Sequence, residues 1–369
     1  MSPHRRRTRD RAWTCDDGTV ATFDDARLRR AFEVAALDVE RGAVPWAVVG
    51  LADSNGVRRV DGFGTVAGRR VGPTTLCLIA SISKPLVAAV VMQLVAEGRV
   101  SLTTPIGAVV PEAEALGDPP VTPWHLLSHT SGLADIEAEG LLARGASHDA
   151  AVRALIAQPR LSPPGVAFRY ATSPFDLLGS LISRLDDRPY PDAIRARLLD
   201  PLGMADTTFD PRSWPTERVV RPLGGPGGTP VPDAIANAFI DMAMPGAGYW
   251  STADDLLRFG RAMLRRGELD GTRVLPSAFV EVMTREVTVG GLGRTDDPLT
   301  SDHYALGWGR PGPATPVSRS AFGHGGITGT QLWVDPGHDL VLVYLTGVWE
   351  GPSEPADAVE NAIYAALES

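Results

Sequence analysis

Two hairpin patterns near opposite ends of the chain constrain its fold more than any other feature. The stretch "WAVVGLADSNGVRRVDGFGTV", residues 46–66, reads as two strands about Asn55–Gly56, a dipeptide suited to the tight turn of a hairpin. Far along the chain, "TQLWVDPGHDLVLVYLTG", 330–347, reads as two more strands around Asp335–Pro336–Gly337. Between them, from 100 to about 240, the chain is rich in proline and in helical patterns, at 122–129, 148–157, 173–186 and 191–200. An antiparallel sheet built from both termini, flanked by helices and with a helical lobe inserted, accommodates all of these segments. That is an α+β fold.

The flanking helices are legible too. "DDARLRRAFEVAALDVERG", 24–42, has helical period with its apolar face on Leu28, Phe32, Ala35 and Ala36. A helix over 252–266 follows "STADD", where Ser251 or Thr252 would cap it and Asp254–Asp255 would complement the helix dipole. A last helix fills 355–367, and "RPLGGPGGTPVPD", 221–233, reads as a loop. The expected organisation is a flexible arm over 1–22 and one domain over 23–369. Within it an α/β lobe takes 23–80 and 250–369, and the helical lobe takes 100–240.

With 369 residues, 44% of them hydrophobic and 21% charged, the chain can bury a large core. A net charge of −9 supplies no basic field for nucleic acid or an anionic membrane. Arg5–Arg7 are followed by "TRDRAWTCDD" instead of the apolar stretch of an export signal, and no run approaches a membrane span, so a cytoplasmic location is expected. The two cysteines, Cys15 and Cys77, make no disulfide framework, and Cys77 reads as core.

One residue is out of character. Lys84, in "LCLIASISKPLVAAVVMQLVAEG" (76–98), is the only lysine in a chain whose 35 Lys and Arg residues are otherwise all arginine. A helix begun at Ser81 puts Ser81 and Lys84 on one face, and Pro85 in the first turn leaves no useful N–H unmade. A serine hydroxyl is a poor nucleophile until a base takes its proton. Buried lysine loses several units of pKa and becomes such a base, whereas arginine stays charged. The helix N-terminus would favour an oxyanion at the same place.

Other patterns lead less far. His125 and His129 have a zinc-compatible i, i+4 spacing, but Leu126 stands where the metalloprotease pattern has Glu. No G-x-S-x-G elbow is present. Trp308 reads as core or pocket wall. The chemistry expected of Ser81 and Lys84 requires no metal or cofactor.

Six segments in order resemble the serine β-lactamase and penicillin-binding-protein superfamily, especially its class C β-lactamase-like branch of esterases, peptidases and transacylases. They are "LIASISKPLVAAVVMQLVAEGRVSLTTPI", "VTPWHLLSHTSGL", "PGVAFRYATSPFDLLGSLIS", "LLDPLGMADTTF", "GYWSTADDLLRF" and "FGHGGITGTQLWVDP". The resemblance spans about 25–367 and implies Ser81 as nucleophile with Lys84 as its partner. It makes Tyr170 the proton shuttle, held as phenolate beside a lysine ammonium, taking the Ser81 proton and passing it to the leaving group. It places Gly325 and Gly326 along the substrate, and Ser81 and Ile327 as the N–H donors of an oxyanion hole.

Two positions depart from the family pattern. Thr172 stands where an Asn often holds a substrate amide, and His324 stands where a lysine grips a carboxylate. Both point away from lactams and toward a small-molecule ester hydrolysed through a Ser81 acyl-enzyme. The rivals are a transacylase, a D-amino acid peptidase or β-lactamase, and a catalytically silent binding homologue.

Overall fold

The computed structural model describes residues 21–136, 147–225, 229–287, 303–312 and 315–368. Cys15 and all but the last two residues of the arm expected at 1–22 lie outside these. Strand β1 (Trp46–Ala52) pairs antiparallel with β2 (Val57–Val66), Val49 facing Asp61. The turn is closed by Asp53, whose Oδ1 accepts the N–H groups of Asn55 at 2.8 Å and Gly56 at 2.9 Å.

On its other edge β1 pairs antiparallel with Leu340–Leu345, Val49 facing Tyr344. The strands Thr330–Asp335 and Phe322–Gly326 follow outward, and β3 (Arg69–Arg70) closes the opposite edge of the six-stranded sheet. The two ends of the chain therefore share one sheet, with β1 at its centre beside a C-terminal strand.

Every residue of β1 is buried because both faces of the sheet are covered. On one face lie α1 (Asp25–Glu40) and the C-terminal helix Glu354–Tyr364, with Phe32, Ala35, Val359 and Ile363 in a common cluster. The other face takes the helix Ala253–Leu264, capped by Thr252, whose side chain accepts the N–H of Asp255 at 3.2 Å. That helix lies close on the strands because Gly260 has no Cβ: one built there would stand 2.4 Å from Val341 Cγ1. Asp255 does more than complement a dipole. It is buried, and its Oδ2 accepts from Asp206 N at 2.9 Å and Thr207 Oγ1 at 2.8 Å.

The main core runs on through Trp308, stacked on Phe259 at 5.7 Å between centroids, so this tryptophan is core and not pocket wall. Cys77 is buried in the strand Leu76–Leu78, and burial pushes its thiol up to about 12. The helices of the middle segment include Pro123–Leu127, His148–Ile156 and Phe175–Asp186. The segment expected as 191–200 runs from Tyr190 to Leu202, with Arg195–Leu199 wound as a π-helix. Two helices, Asp233–Met242 and Ser277–Thr284, have no counterpart in the sequence reading. Both follow a proline, Pro232 and Pro276, and their apolar faces are settled by packing more than by any cap. Among the described residues, no helix is long and apolar enough to cross a membrane.

Candidate active site

Ser81 is presented by a tight turn between the strand Leu76–Leu78 and α2 (Ser83–Ala96). The helix does not begin at Ser81; a 3-10 turn over Ala80–Ile82 precedes it. Ala80, directly before the serine, has φ +46, a left-handed conformation that a non-glycine residue holds only when its surroundings impose it. Ser83 supplies part of that constraint: its Oγ donates to Ala80 O at 2.6 Å and accepts the N–H of Tyr249 at 3.1 Å.

The strand Phe322–Gly326 and its following turn supply the rest. Thr328 Oγ1 donates to Leu78 O at 2.8 Å, and Thr330 Oγ1 donates to Ile79 O at 3.2 Å. Gly326 touches the same backbone: a Cβ there would lie 2.5 Å from Ile79 O and 2.3 Å from Thr330 Oγ1. This glycine, expected to make room for substrate, makes room for the protein's own chain. Gly325 differs, since a Cβ there would meet only Thr330 O, at 3.8 Å.

Lys84 is fully buried, yet three acceptors converge on its Nζ: Ser81 Oγ at 3.0 Å, Thr172 Oγ1 at 3.1 Å and Gly246 O at 3.0 Å. Burial lowers its pKa to about 7, against the opposing pull of the Asp135 and Asp176 carboxylates. The geometry serves both protonation states. As an ammonium, Lys84 donates to all three; as an amine, it donates to Thr172 and Gly246 and offers its lone pair to the Ser81 hydroxyl.

Tyr170 completes the centre from the opposite wall. Its hydroxyl is close to Ser81, and Lys84 Nζ lies 4.7 Å from its ring centroid. The residue as a whole is 41% exposed. Burial of that hydroxyl pushes the phenol up, the Ser81 bond pulls it partly back, and the Asp135 charge raises it again. Burial of the hydroxyl works against the phenolate expected beside Lys84.

His324 is buried and committed on both nitrogens. Its Nδ1 lies 2.7 Å from Gly325 O, a carbonyl that only accepts, so Nδ1 carries the proton. Its Nε2, 2.9 Å from Tyr304 Oη, then accepts from that hydroxyl. Burial, with the nearby Lys84 charge, lowers its pKa to about 3, so the ring is neutral. Thr172 is committed as well, its hydroxyl held on Lys84.

Among the described residues, neither the Ser81 N–H nor the Ile327 N–H hydrogen-bonds a protein acceptor. Beside them Phe168, Tyr170, Tyr304, Trp333, His324 and Gly325 line much of a cavity of about 300 Å³.

The histidine pair parts company. His125 Nδ1 accepts the N–H of Thr122 at 3.2 Å and caps its own helix. His129 instead joins the site wall, its ring 4.5 Å from that of Tyr170 and 4.7 Å from that of Tyr304, with Nδ1 accepting the Ala171 N–H at 3.3 Å. That role was missed, because a spacing of four says nothing about a tyrosine forty residues on. Among the described residues no group of three or more His, Cys, Asp or Glu is placed to hold a metal.

Known proteins resemble this chain over most of its length. The chain is 33% identical to Protein Rv1367c of Mycobacterium tuberculosis (strain ATCC 25618 / H37Rv) over 341 residues, covering 76% of this chain and 79% of the relative. It is 29% identical to Esterase EstB of Burkholderia gladioli over 395 residues, covering 94% of each. The solved structure of EstCE1, titled a hydrolase with promiscuous acyltransferase activity, superposes with a TM-score of 0.80 at 22% identity, covering 92% of this chain and 99% of that one. The Beta-lactamase family model matches residues 27–366, and the chain belongs to that family.

Proposed function

We propose that this protein hydrolyses an ester of a small molecule through an acyl-enzyme on Ser81. The observation that carries the reading is the buried Lys84 amine, 3.0 Å from Ser81 Oγ and with a pKa lowered to about 7. Such an amine takes the Ser81 proton as Oγ attacks the ester carbonyl. The carbonyl oxygen becomes an oxyanion, which the N–H groups of Ser81 and Ile327 stabilise. Tyr170, a neutral phenol close to Ser81, gives its proton to the departing alkoxide, and the Lys84 ammonium restores it. Water then enters where the alcohol left, and the same groups run in reverse to release the acid.

An ester is favoured over a lactam or peptide by what the site withholds. Thr172 is shorter than Asn and offers no amide, and its oxygen already accepts from Lys84, while His324 is neutral with both nitrogens engaged. A substrate amide left unpaired there costs about 1–3 kcal/mol, and a carboxylate finds no cation at position 324. The largely apolar cavity beside Tyr170, which Arg310 and His303 also line, suits an apolar half of the ester.

A second reading is acyl transfer, supported by the likeness to EstCE1, a hydrolase with promiscuous acyltransferase activity, and by the largely apolar cavity beside Tyr170, which could admit an alcohol acceptor. The deciding experiment incubates the protein with p-nitrophenyl acetate, nitrocefin and a D-alanyl anilide, with and without an added alcohol. We expect ester turnover far above the other two, and mass-spectrometric detection of acetyl-Ser81. Lactam turnover rivalling the ester rate would overturn the ester reading; a transferred acyl product would select the second.

A further inference from the structure

Resting on that reading of Lys84 as the base, we infer that Asp135 is a positioning residue of the catalytic centre: it clamps the Tyr170–Ser173 turn from outside and holds a fixed negative charge on the Lys84 side. The clamp is explicit. Asp135 Oδ1 accepts the backbone N–H groups of Thr172 and Ser173, each at 2.6 Å. The contact is returned, because Ser173 Oγ accepts the N–H of Ile136 at 3.0 Å. Two segments nearly forty residues apart are thereby stapled at the residue whose hydroxyl binds Lys84.

The staple has little else to lean on. Residues 170–173 belong to no helix or strand, so their backbone donors depend on such side-chain partners. On the far side, Gly246 presses against the same residue: a Cβ there would be 2.9 Å from Thr172 O. Thr172 is thus held between Gly246 and Asp135, and its Oγ1 is aimed at Nζ.

Charge adds a second consequence. The ionisable groups acting on Lys84 are Asp135, Asp176 on the helix Phe175–Asp186, His129 and His324, with the Tyr170 phenol across Ser81. Burial keeps the two histidines neutral and the phenol protonated, and it raises Asp176 to about 8. Asp135 is exposed, which leaves it as the carboxylate whose charge favours the Lys84 ammonium. Removing that charge makes Lys84 easier to deprotonate.

The test is the rate of Ser81 labelling by a fluorophosphonate as a function of pH, for wild type, Asp135→Asn and Asp135→Ala, each first checked for cooperative melting. Asn keeps an oxygen for the two N–H groups and loses the charge. We expect its acid limb to move to lower pH by about half a unit at low salt, less at 1 M NaCl. Asp135→Ala loses the clamp as well, so its plateau rate should fall about tenfold below that of Asp135→Asn. An Asp135→Asn limb that coincides with wild type overturns the inference, as does an Ala variant with an unimpaired plateau. If Asp135→Ala fails to fold, the Asn limb decides alone. Wild-type protein that takes no label at Ser81 would sink the acyl-enzyme reading itself, a result distinct from an unmoved limb.

Discussion

The two walls of the catalytic centre are built on different principles. The wall that carries Ser81 and Lys84 is a continuous piece of chain, its turn bonded to neighbouring strands and its lysine fully buried. The wall that carries Tyr170 and Thr172 is irregular backbone, with Tyr170 open to the cleft and the turn held by side chains. Core packing holds Ser81 and Lys84, so they should tolerate little. Hydrogen bonds hold the turn that carries Tyr170, so it should be adjustable. Rate should therefore be lost abruptly on the first wall and tuned on the second.

The largest effect expected falls on the first wall. Lys84→Arg keeps the charge and removes the ability to lose a proton, so ester turnover should fall by at least ~10²-fold. In wild type, kcat/KM should rise as pH passes about 7, where Lys84 deprotonates. A folded Lys84→Arg protein with near-normal turnover would make the lysine a structural cation.

Next comes Tyr170→Phe on the second wall. Losing the donor should cost about 10²-fold with an ethyl ester and much less with a p-nitrophenyl ester, whose leaving group needs no proton. Equal losses with both esters would mean that Tyr170 serves as something other than an acid.

The glycine pair separates protein from substrate contacts. Gly326→Ala sets a methyl against Ile79 O and should cost about 1–3 kcal/mol by chemical denaturation, as overpacking does. Gly325→Ala, with open space before it, should leave stability unchanged and alter only KM. Matching losses of stability would erase the distinction.

The smallest effect lies away from both walls and serves as a control. His338 Nδ1 lies 2.8 Å from Asp335 Oδ2, and this bond raises the histidine's pKa above its ordinary 6.5. Because the folded value lies above the unfolded one, the stabilisation is complete below about 6.5 and disappears as pH rises through the folded value. The side chain is 38% exposed, so solvent screening keeps the contribution under about 1 kcal/mol. His338→Asn should lower Tm at pH 5.5 and leave it nearly unchanged at pH 9, with the pH profile of esterase activity unmoved.

These differences also mark what could be read from the chain alone. Ser81 and Lys84 lie within one turn, where spacing and the lone lysine point to the pair and the family resemblance supplies the roles. The hairpin at Asn55–Gly56 and the Thr252 cap are equally local, set by backbone chemistry within a few residues. Tyr170, His324 and Ile327 needed the family resemblance, because nothing in their neighbouring letters points at Ser81.

What the sequence determined by itself was therefore mostly the short-range part: the strands and hairpin turns at each end of the chain, and a serine with the lone lysine three residues on. Only tertiary structure decided the charge states and the partners. Burial lowers Lys84 and His324 and raises Tyr170. Long-range contacts turned Gly326 from a substrate rest into a backbone crossing, and His129 from half a metal pattern into the ring behind Tyr170. Desolvation and packing depend on atoms brought from distant parts of the chain, which no local pattern records.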